Sequence, residues 1–413
     1  MANYALSELL GAPVLDPSGA VAGRVREVAL TPQESRNEIF NFIVKTPQGD
    51  RLLSRDAFQN VNGGIRSSQP VNSWPEFTTT EGMLLLSRDL LDQQIIDVHG
   101  RKVVRVNDVD FEAFPSNGRI ALRIYGVDVG TRGAVRRLLK GVVPMIALRG
   151  LLARIPPRII PWEYVDLIET DPARRVKLRI ESSGLNKLHP ADIAEIMADL
   201  APAEREAVFE SLDEDVAAGA LEEVDPKLGV SIVQSLDPEH AADIVEEMNP
   251  DAAADLLAEL PQEKSDEILE EMQPEERHDV EGLLEFSEHT AAGRMTTDFL
   301  GFSEDATVMD AIDALRGFSG GPEAVSTLFV LDGEDKLVGM VPLASIVLVE
   351  QETPLKTLIT EPLVTCQMDA KEREVAELFD KYNLLMLPVV DEQGVVHGVI
   401  TADDVIGLLR EML

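Results

Sequence analysis

Between Leu188 and Met272 apolar residues return every twelve positions: Leu188, Leu200, Leu212, Val224, Leu236, Met248, Leu260 and Met272. Eight and nine residues after most of these anchors comes an apolar pair, such as Ile196/Met197, Val208/Phe209, Ile232/Val233, Ile244/Val245, Leu256/Leu257 and Ile268/Leu269. Several anchors are followed by Asp-Pro or Asn-Pro, at Asp225-Pro226, Asp237-Pro238 and Asn249-Pro250. Asp or Asn accepts a backbone hydrogen bond at a helix N-cap, and Pro suits the first helical position, where its missing donor costs nothing. The apolar positions share one face at helical spacing. Each unit therefore predicts a helix of about two and a half turns, too short to persist alone and stable only when stacked on its neighbours.

The pattern changes on either side. Downstream, Thr327-Leu328-Phe329-Val330-Leu331-Asp332 with Lys336-Leu337-Val338-Gly339 matches Leu385-Met386-Leu387-Pro388-Val389-Val390-Asp391 with Val395-Val396-His397-Gly398. Asp332 to Asp391 and Gly339 to Gly398 are both 59 residues apart, which marks a tandem repeat. Each half reads as helix, apolar strand, Gly-containing turn, strand and helix. Upstream, Leu9 to Val28 and Leu90 to Asp108 carry two copies of a period-two pattern punctuated by Gly and Asp, which predicts short antiparallel strands. The polar, turn-rich stretch Gln59–Glu76 reads as a linker.

Composition adds three constraints. A chain of 413 residues with 45% hydrophobic content is sufficient for about three packed domains. The one cysteine, Cys366, sits in an apolar run, so a buried structural thiol in a reducing compartment is expected. The net charge of −37 is unevenly spread: residues 1–180 hold 24 basic and 20 acidic residues, residues 185–290 hold 5 and 31, and residues 291–413 hold 8 and 22. So acidic a surface repels phosphates, disfavours nucleic acid as a partner and attracts divalent cations or basic partners. A merely solvated acidic face remains the alternative.

The N-terminal Met1–Gly11 segment lacks signal-peptide character, so a cytoplasmic protein is expected. The most apolar long stretch, Val142 to Trp162, contains Arg149, Arg154, Arg158 and four prolines, so no membrane span is expected. From Thr131 to Ile160 the chain is both basic and apolar. This stretch could lie on anionic lipid, which would make the protein peripheral, or pack against the chain's own acids; the prolines favour packing. Neither a nucleophile–base set nor His-x-x-x-His spacing among the six histidines is present, and no Gly-Lys-Thr phosphate loop, so nothing supports an enzyme.

Leu188-His189-Pro190-Ala191-Asp192-Ile193-Ala194, the Asp-Pro short helices and the closing Ala291-Ala292-Gly293-Arg294-Met295-Thr296 resemble the N-terminal domain of MgtE-type magnesium transporters. The tandem repeat that follows resembles a CBS pair, a module that senses ligands and commonly forms dimers. The two upstream copies resemble PRC-barrel domains, which mostly mediate protein contacts. The expected architecture is therefore two small antiparallel β-barrels, an all-α superhelical stack and an α/β CBS pair. The expected domains are 1–75 and 76–180 (PRC-like), 185–292 (stack) and 293–413 (CBS pair).

In that family, acids of the stack and of the CBS pair face one another across bound magnesium. Carried over by position, this implies Asp251 and Asp255 on the stack, four residues apart and so on one helical face, and Asp404 in the second CBS half as Mg2+ ligands. Other family acids align with Gly219, Asn383 and Gly407, and two with Lys371 and Arg373. The basic pair implies a fixed salt-bridge contact in place of part of the metal; ordinary surface charge is the alternative. In CBS pairs, Thr401 and Asp404 of Gly398-Val399-Ile400-Thr401-Ala402-Asp403-Asp404 would contact an adenosine ligand such as ATP or AMP. The residues alone equally predict a helix cap. In the first half, Pro342 to Ser345 lacks both polar positions. The resemblance implies a magnesium-responsive regulator without its own pore, a homodimer through the CBS pair, with a separately made membrane protein as a partner. An adenine-nucleotide sensor and a constitutive scaffold are the alternatives.

Overall fold

In the computed structural model, residues 3–55, 58–60, 65–80, 82–116, 119–140, 152, 154–168, 184–287, 289–318 and 325–411 are described. They divide into two compact units, Met1–Val216 and Ala217–Leu413, and the twelve-residue repeat runs through the division.

The first unit is built from antiparallel sheets, as the alternation predicts. One sheet runs Asn3–Ala5, Asp108–Ser116, Arg119–Asp128, Ile159–Pro161, and another runs Lys102–Arg105, Gln94–Asp97, Val165–Leu167. A larger sheet orders Gly49–Ser54, Ile39–Thr46, Val21–Leu30, Pro13–Leu15, Ile65–Ser67 and Phe58–Asn60, with Leu84–Leu85 added to Val21–Leu30. Within it the Pro13–Leu15 and Ile65–Ser67 pair is parallel.

The two sequence copies exchange their first segments. Asn3–Ala5 pairs with Asp108–Ser116 in the second copy, and Leu84–Leu85 pairs with Val21–Leu30 in the first. A one-turn helix follows each exchanged strand, Leu6–Leu9 and Leu86–Asp89. The Ser7 amide donates to Asp108 Oδ1 (3.0 Å), and the Ser87 amide donates to Glu27 Oε1 (2.8 Å). Leu6, Phe42, Trp74, Val109, Phe111 and Ile160 belong to a single buried cluster. Strand pairing and core therefore both cross the expected boundary at residue 75.

The expected linker is a further departure. Residues 61–64 lie outside the described residues, but the rest is folded: Ile65–Ser67 is a strand, and Trp74 is 2% exposed with its indole donating to the Gln69 carbonyl at 3.3 Å. Its polar composition concealed one large apolar side chain, which the core retained.

The basic stretch packs on its own chain where it is described; residues 141–151 and 153 are outside the described residues. The helix Thr131–Leu139 places Arg136 Nε 2.7 Å from Asp108 Oδ2 and Nη2 2.8 Å from Asp110 Oδ1. Arg137 Nη2 lies 2.6 Å from Asp92 Oδ2.

In the second unit the helices Pro226–Ser235, Pro238–Glu246, Pro250–Glu259, Gln262–Glu271 and Pro274–Leu284 follow the repeat, and the anchors Leu236, Met248, Leu260 and Met272 are buried. Asp225 and Asp237 cap as expected, accepting from the Lys227 and His240 amides at 3.1 Å. Asn249 occupies the N-cap position without capping. Its backbone and side-chain amides instead donate to Glu222, at 2.7 and 3.1 Å. Gln273 makes the same pair of bonds to Glu246. These links run from the end of one helix to the start of the third helix along, and every second helix packs together, Pro250–Glu259 on Pro274–Leu284 and Pro238–Glu246 on Gln262–Glu271. The superhelical turn thus spans two repeats.

The CBS halves form matching three-stranded sheets: Gly301–Ser303, Thr327–Leu331, Leu337–Pro342, and Cys366–Gln367, Met386–Val390, Val396–Thr401. In each, the first pair is parallel and the second antiparallel. The closing segment of the stack docks on the second half. The Ala291 and Ala292 amides donate to the Ala370 and Met368 carbonyls (2.8 and 3.0 Å), and Thr296 and Val399 exchange backbone bonds at 2.8 and 2.9 Å. Cys366 is buried against Pro388, and burial pushes its thiol up to about 12, as befits a structural residue.

Candidate functional site

The docked segment brings a stack helix against the second CBS half. Asp251 lies in the first turn of Pro250–Glu259, and Asp255 follows one turn later. Asp404 lies in the first turn of Ala402–Glu411. Burial raises the Asp251 carboxyl well above the usual carboxylate range, and the charge of Asp404 adds to this, followed by Asp255 and Glu222. Asp404 is itself pushed up to about 6 by burial, against the opposing effects of the Thr401 hydroxyl and Arg294. The residues predicted from sequence thus share one electrostatic neighbourhood. Two carboxylates forced together in a partly dehydrated site resist joint ionisation.

Arg294 is the charge that sequence reasoning missed. It closes the short turn Ala292–Arg294, and its side chain is 20% exposed. Its Nη1 is 3.4 Å from Asp255 Oδ2, and its Nη2 is 3.3 Å from Glu372 Oε1. His289 Nδ1 is also 3.3 Å from that Glu372 oxygen. One basic residue within the motif that closes the acidic stack was the available signal.

Lys371 and Arg373 do not take the part expected of them. Lys371 occupies the N-cap position of the helix Glu372–Tyr382, and no side-chain ion pair of Lys371 is found among the described residues. Arg373 pairs with Glu377 on its own helix, at 3.1 Å, with both side chains largely exposed. These two positions flank Glu372, but the helix turns them towards solvent. Asn383, where the family places an acid, ends this helix in the left-handed conformation (φ 50°), which Asn tolerates better than most residues.

Thr401 Oγ1 donates to Asp404 Oδ2 at 2.7 Å, and the Thr401 amide donates to the same oxygen at 3.3 Å. Thr401 is 4% exposed. The arrangement seen here is therefore the helix cap.

No group of three or more His, Cys, Asp or Glu among the described residues is arranged so that it could hold a metal ion. Magnesium does not require one: it is commonly held by one or two carboxylates with water completing the octahedron. Asp251 and Asp404 are two carboxylates in one neighbourhood, the charge of Asp404 raising Asp251. Asp255 is partly neutralised by Arg294.

Comparison with known proteins agrees with this organisation. Residues 188–289 match the MgtE intracellular N domain, and residues 291–352 and 355–411 match the CBS domain. The magnesium transporter MgtE of Thermus thermophilus is 31% identical over 134 residues, covering 32% of this chain and 30% of the transporter. The chain thus spans about 30% of the length of the curated transporter it matches. A crystal structure of the cytosolic domain of the Mg2+ channel MgtE in complex with ATP superposes with a TM-score of 0.53 at 27% identity, covering 57% of this chain and 95% of that one. The soluble part of a magnesium transporter superposes with a TM-score of 0.54 at 23% identity, covering 59% and 94%, a likeness of fold alone.

Fold and matches together define a helical N domain joined to a CBS pair. Residues 188–411 carry the N-domain and CBS-pair region of MgtE-type magnesium transporters. No helix among the described residues is long and apolar enough to cross a membrane.

Proposed function

We propose that this protein is a magnesium-responsive regulator of magnesium transport, cytoplasmic and acting through the contact between stack and CBS pair. The observation that carries this reading is the gathering of acids at that contact, where Arg294 bridges Asp255 and Glu372 and the charge of Asp404 raises the Asp251 carboxyl. Asp251 and Asp404 would hold the ion, with Asp255 alongside. A bound divalent cation supplies the countercharge that lets these carboxylates ionise together. Without it their repulsion favours separation of the stack helix from the helix Ala402–Glu411. The PRC-like antiparallel unit then serves as the surface for a membrane partner, and the CBS pair as the homodimer interface.

Isothermal titration of the whole chain with Mg2+ tests the reading, together with protease protection of the 284–296 stretch and small-angle scattering. Binding, with protection and a smaller scattering radius, is expected. Absence of binding with no change in radius overturns it.

The resemblance of Thr401 and Asp404 to an adenosine-contacting motif, and the ATP complex named for the 27%-identical structure, support a second reading, an adenine-nucleotide sensor. Melting shifts with ATP or AMP in EDTA would favour it. The hydroxyl–carboxylate bond within the cap argues against it, because Asp404 already accepts from its own helix start.

A further inference from the structure

We infer that Arg294 is a tethered cation: it stands where a divalent ion would otherwise screen Asp255 and Glu372. It thereby reduces the number of ions that the stack–CBS contact takes and keeps the contact partly closed when they are absent. This rests on the magnesium reading above and adds the residue that sets ion number and ion dependence.

Three observations converge on Arg294. Its guanidinium reaches carboxylates from two elements, Asp255 on the stack helix and Glu372 on a CBS helix. Its nitrogens stand 3.3 to 3.4 Å from these oxygens. A bidentate Arg–carboxylate pair is shorter, about 2.7–2.9 Å, so the charge is shared between acids in the way a screening ion is. Finally, the turn carrying it is fixed. Ala291 and Ala292 donate to Ala370 and Met368, and Thr296 pairs with Val399, so backbone bonds flank Arg294 on both sides.

A mobile ion leaves at low concentration, whereas a charge fixed to the backbone has an effective concentration that does not fall with dilution. The acids around Arg294 therefore retain part of their countercharge in EDTA.

The test compares the wild-type chain with Arg294→Gln and Arg294→Lys. Divalent stoichiometry is read by calorimetry with Mg2+ and by electron paramagnetic resonance with Mn2+. Cleavage of the 284–296 stretch is followed in EDTA and in excess Mg2+. Arg294→Gln is expected to bind an additional divalent ion. Its cleavage in EDTA should quicken by about tenfold, which corresponds to about 1.4 kcal/mol, and Mg2+ should restore protection. Arg294→Lys should follow the wild type. Equal stoichiometry and equal EDTA protection in Arg294→Gln and wild type would overturn the inference. If wild type ignores magnesium while Arg294→Gln acquires the response, the inference stands and the magnesium reading of the wild type fails. If neither responds, both fail. Should Arg294→Gln unfold, Arg294→Gln combined with Asp255→Asn and Glu372→Gln removes the stranded charges. That triple variant should be protected in EDTA, and its cleavage at the single-variant rate would count against the inference.

Discussion

The Asp404 carboxylate, from the last helix of the CBS pair, raises the proton affinity of Asp251 in the stack, an effect second only to burial. Two elements far apart in the chain are thus coupled through like charges, an opposition that protons, cations or substitutions can release.

Asp251→Asn removes one side of this opposition. In EDTA the magnesium-sensitive unfolding transition should shift upward, because the carboxyl that burial and Asp404 hold above its usual range no longer has to ionise there, and addition of Mg2+ should no longer shift it. Thermal melts with and without the metal check both outcomes. A variant melting below wild type in EDTA would show that Asp251 contributes favourable contacts that outweigh the repulsion.

Acidification should imitate the cation. Burial pushes the folded Asp404 carboxyl up to about 6, above its ordinary 3.8, outweighing Thr401 and Arg294. Its contribution to the contact is therefore complete below about pH 4 and lost as pH rises through about 6. Asp251 moves in the same direction. Asp255, Glu222, Asp403, Glu372, Arg294 and His289 are the other charged or titratable groups around the site. Protease protection in EDTA should be greater at pH 5 than at pH 7.5, and the magnesium increment smaller. Protection that falls on acidification would contradict this assignment.

The exchanged segments of the first unit depend on Asp108, which is fully buried and accepts from the Ser7 amide and from Arg136. Asp108→Ala removes one of the two carboxylates that hold the buried Arg136, leaving Asp110, and should cost up to about 3–5 kcal/mol, read as a lower urea midpoint. Ser7→Ala keeps the ion pair and its backbone bond, so its cost should be nearer 1 kcal/mol. Equal costs would show that the charge at Asp108 contributes little.

Gly398 permits the docking that forms the candidate site. A Cβ there would lie 2.6 Å from the Thr296 carbonyl oxygen and 2.8 Å from Met295 Cγ. Gly398→Ala should displace Met295 and Thr296 at a cost of about 1–3 kcal/mol, as for other overpacked sites. Hydrogen exchange at the Thr296 and Val399 amides, which bond each other's carbonyls, should accelerate together. Unchanged protection at both would show that the segment docks without the close approach.

Much of the protein is legible in its amino-acid order. The twelve-residue apolar period with Asp-Pro starts defines the short stacked helices, because a local cap and a local face are enough to specify each one. The 59-residue recurrence defines the CBS halves, whose matching strands Thr327–Leu331 and Met386–Val390 begin 59 residues apart. Asp251, Asp255 and Asp404 were nameable only through the family resemblance, position by position. Tertiary structure alone decided the remainder. Alternation says that Asn3–Ala5 and Leu84–Leu85 are strands but not that each joins the other copy, since any strand edge offers the same donors and acceptors. Lys371 and Arg373 looked like the replacement cations because they stand at the aligned positions, yet the helix Glu372–Tyr382 sends Arg373 to Glu377 in solvent. Arg294 supplies that charge instead. Its reach to Asp255 and Glu372 exists only once Ala291, Ala292 and Thr296 have docked, and no local pattern encodes a contact that depends on docking.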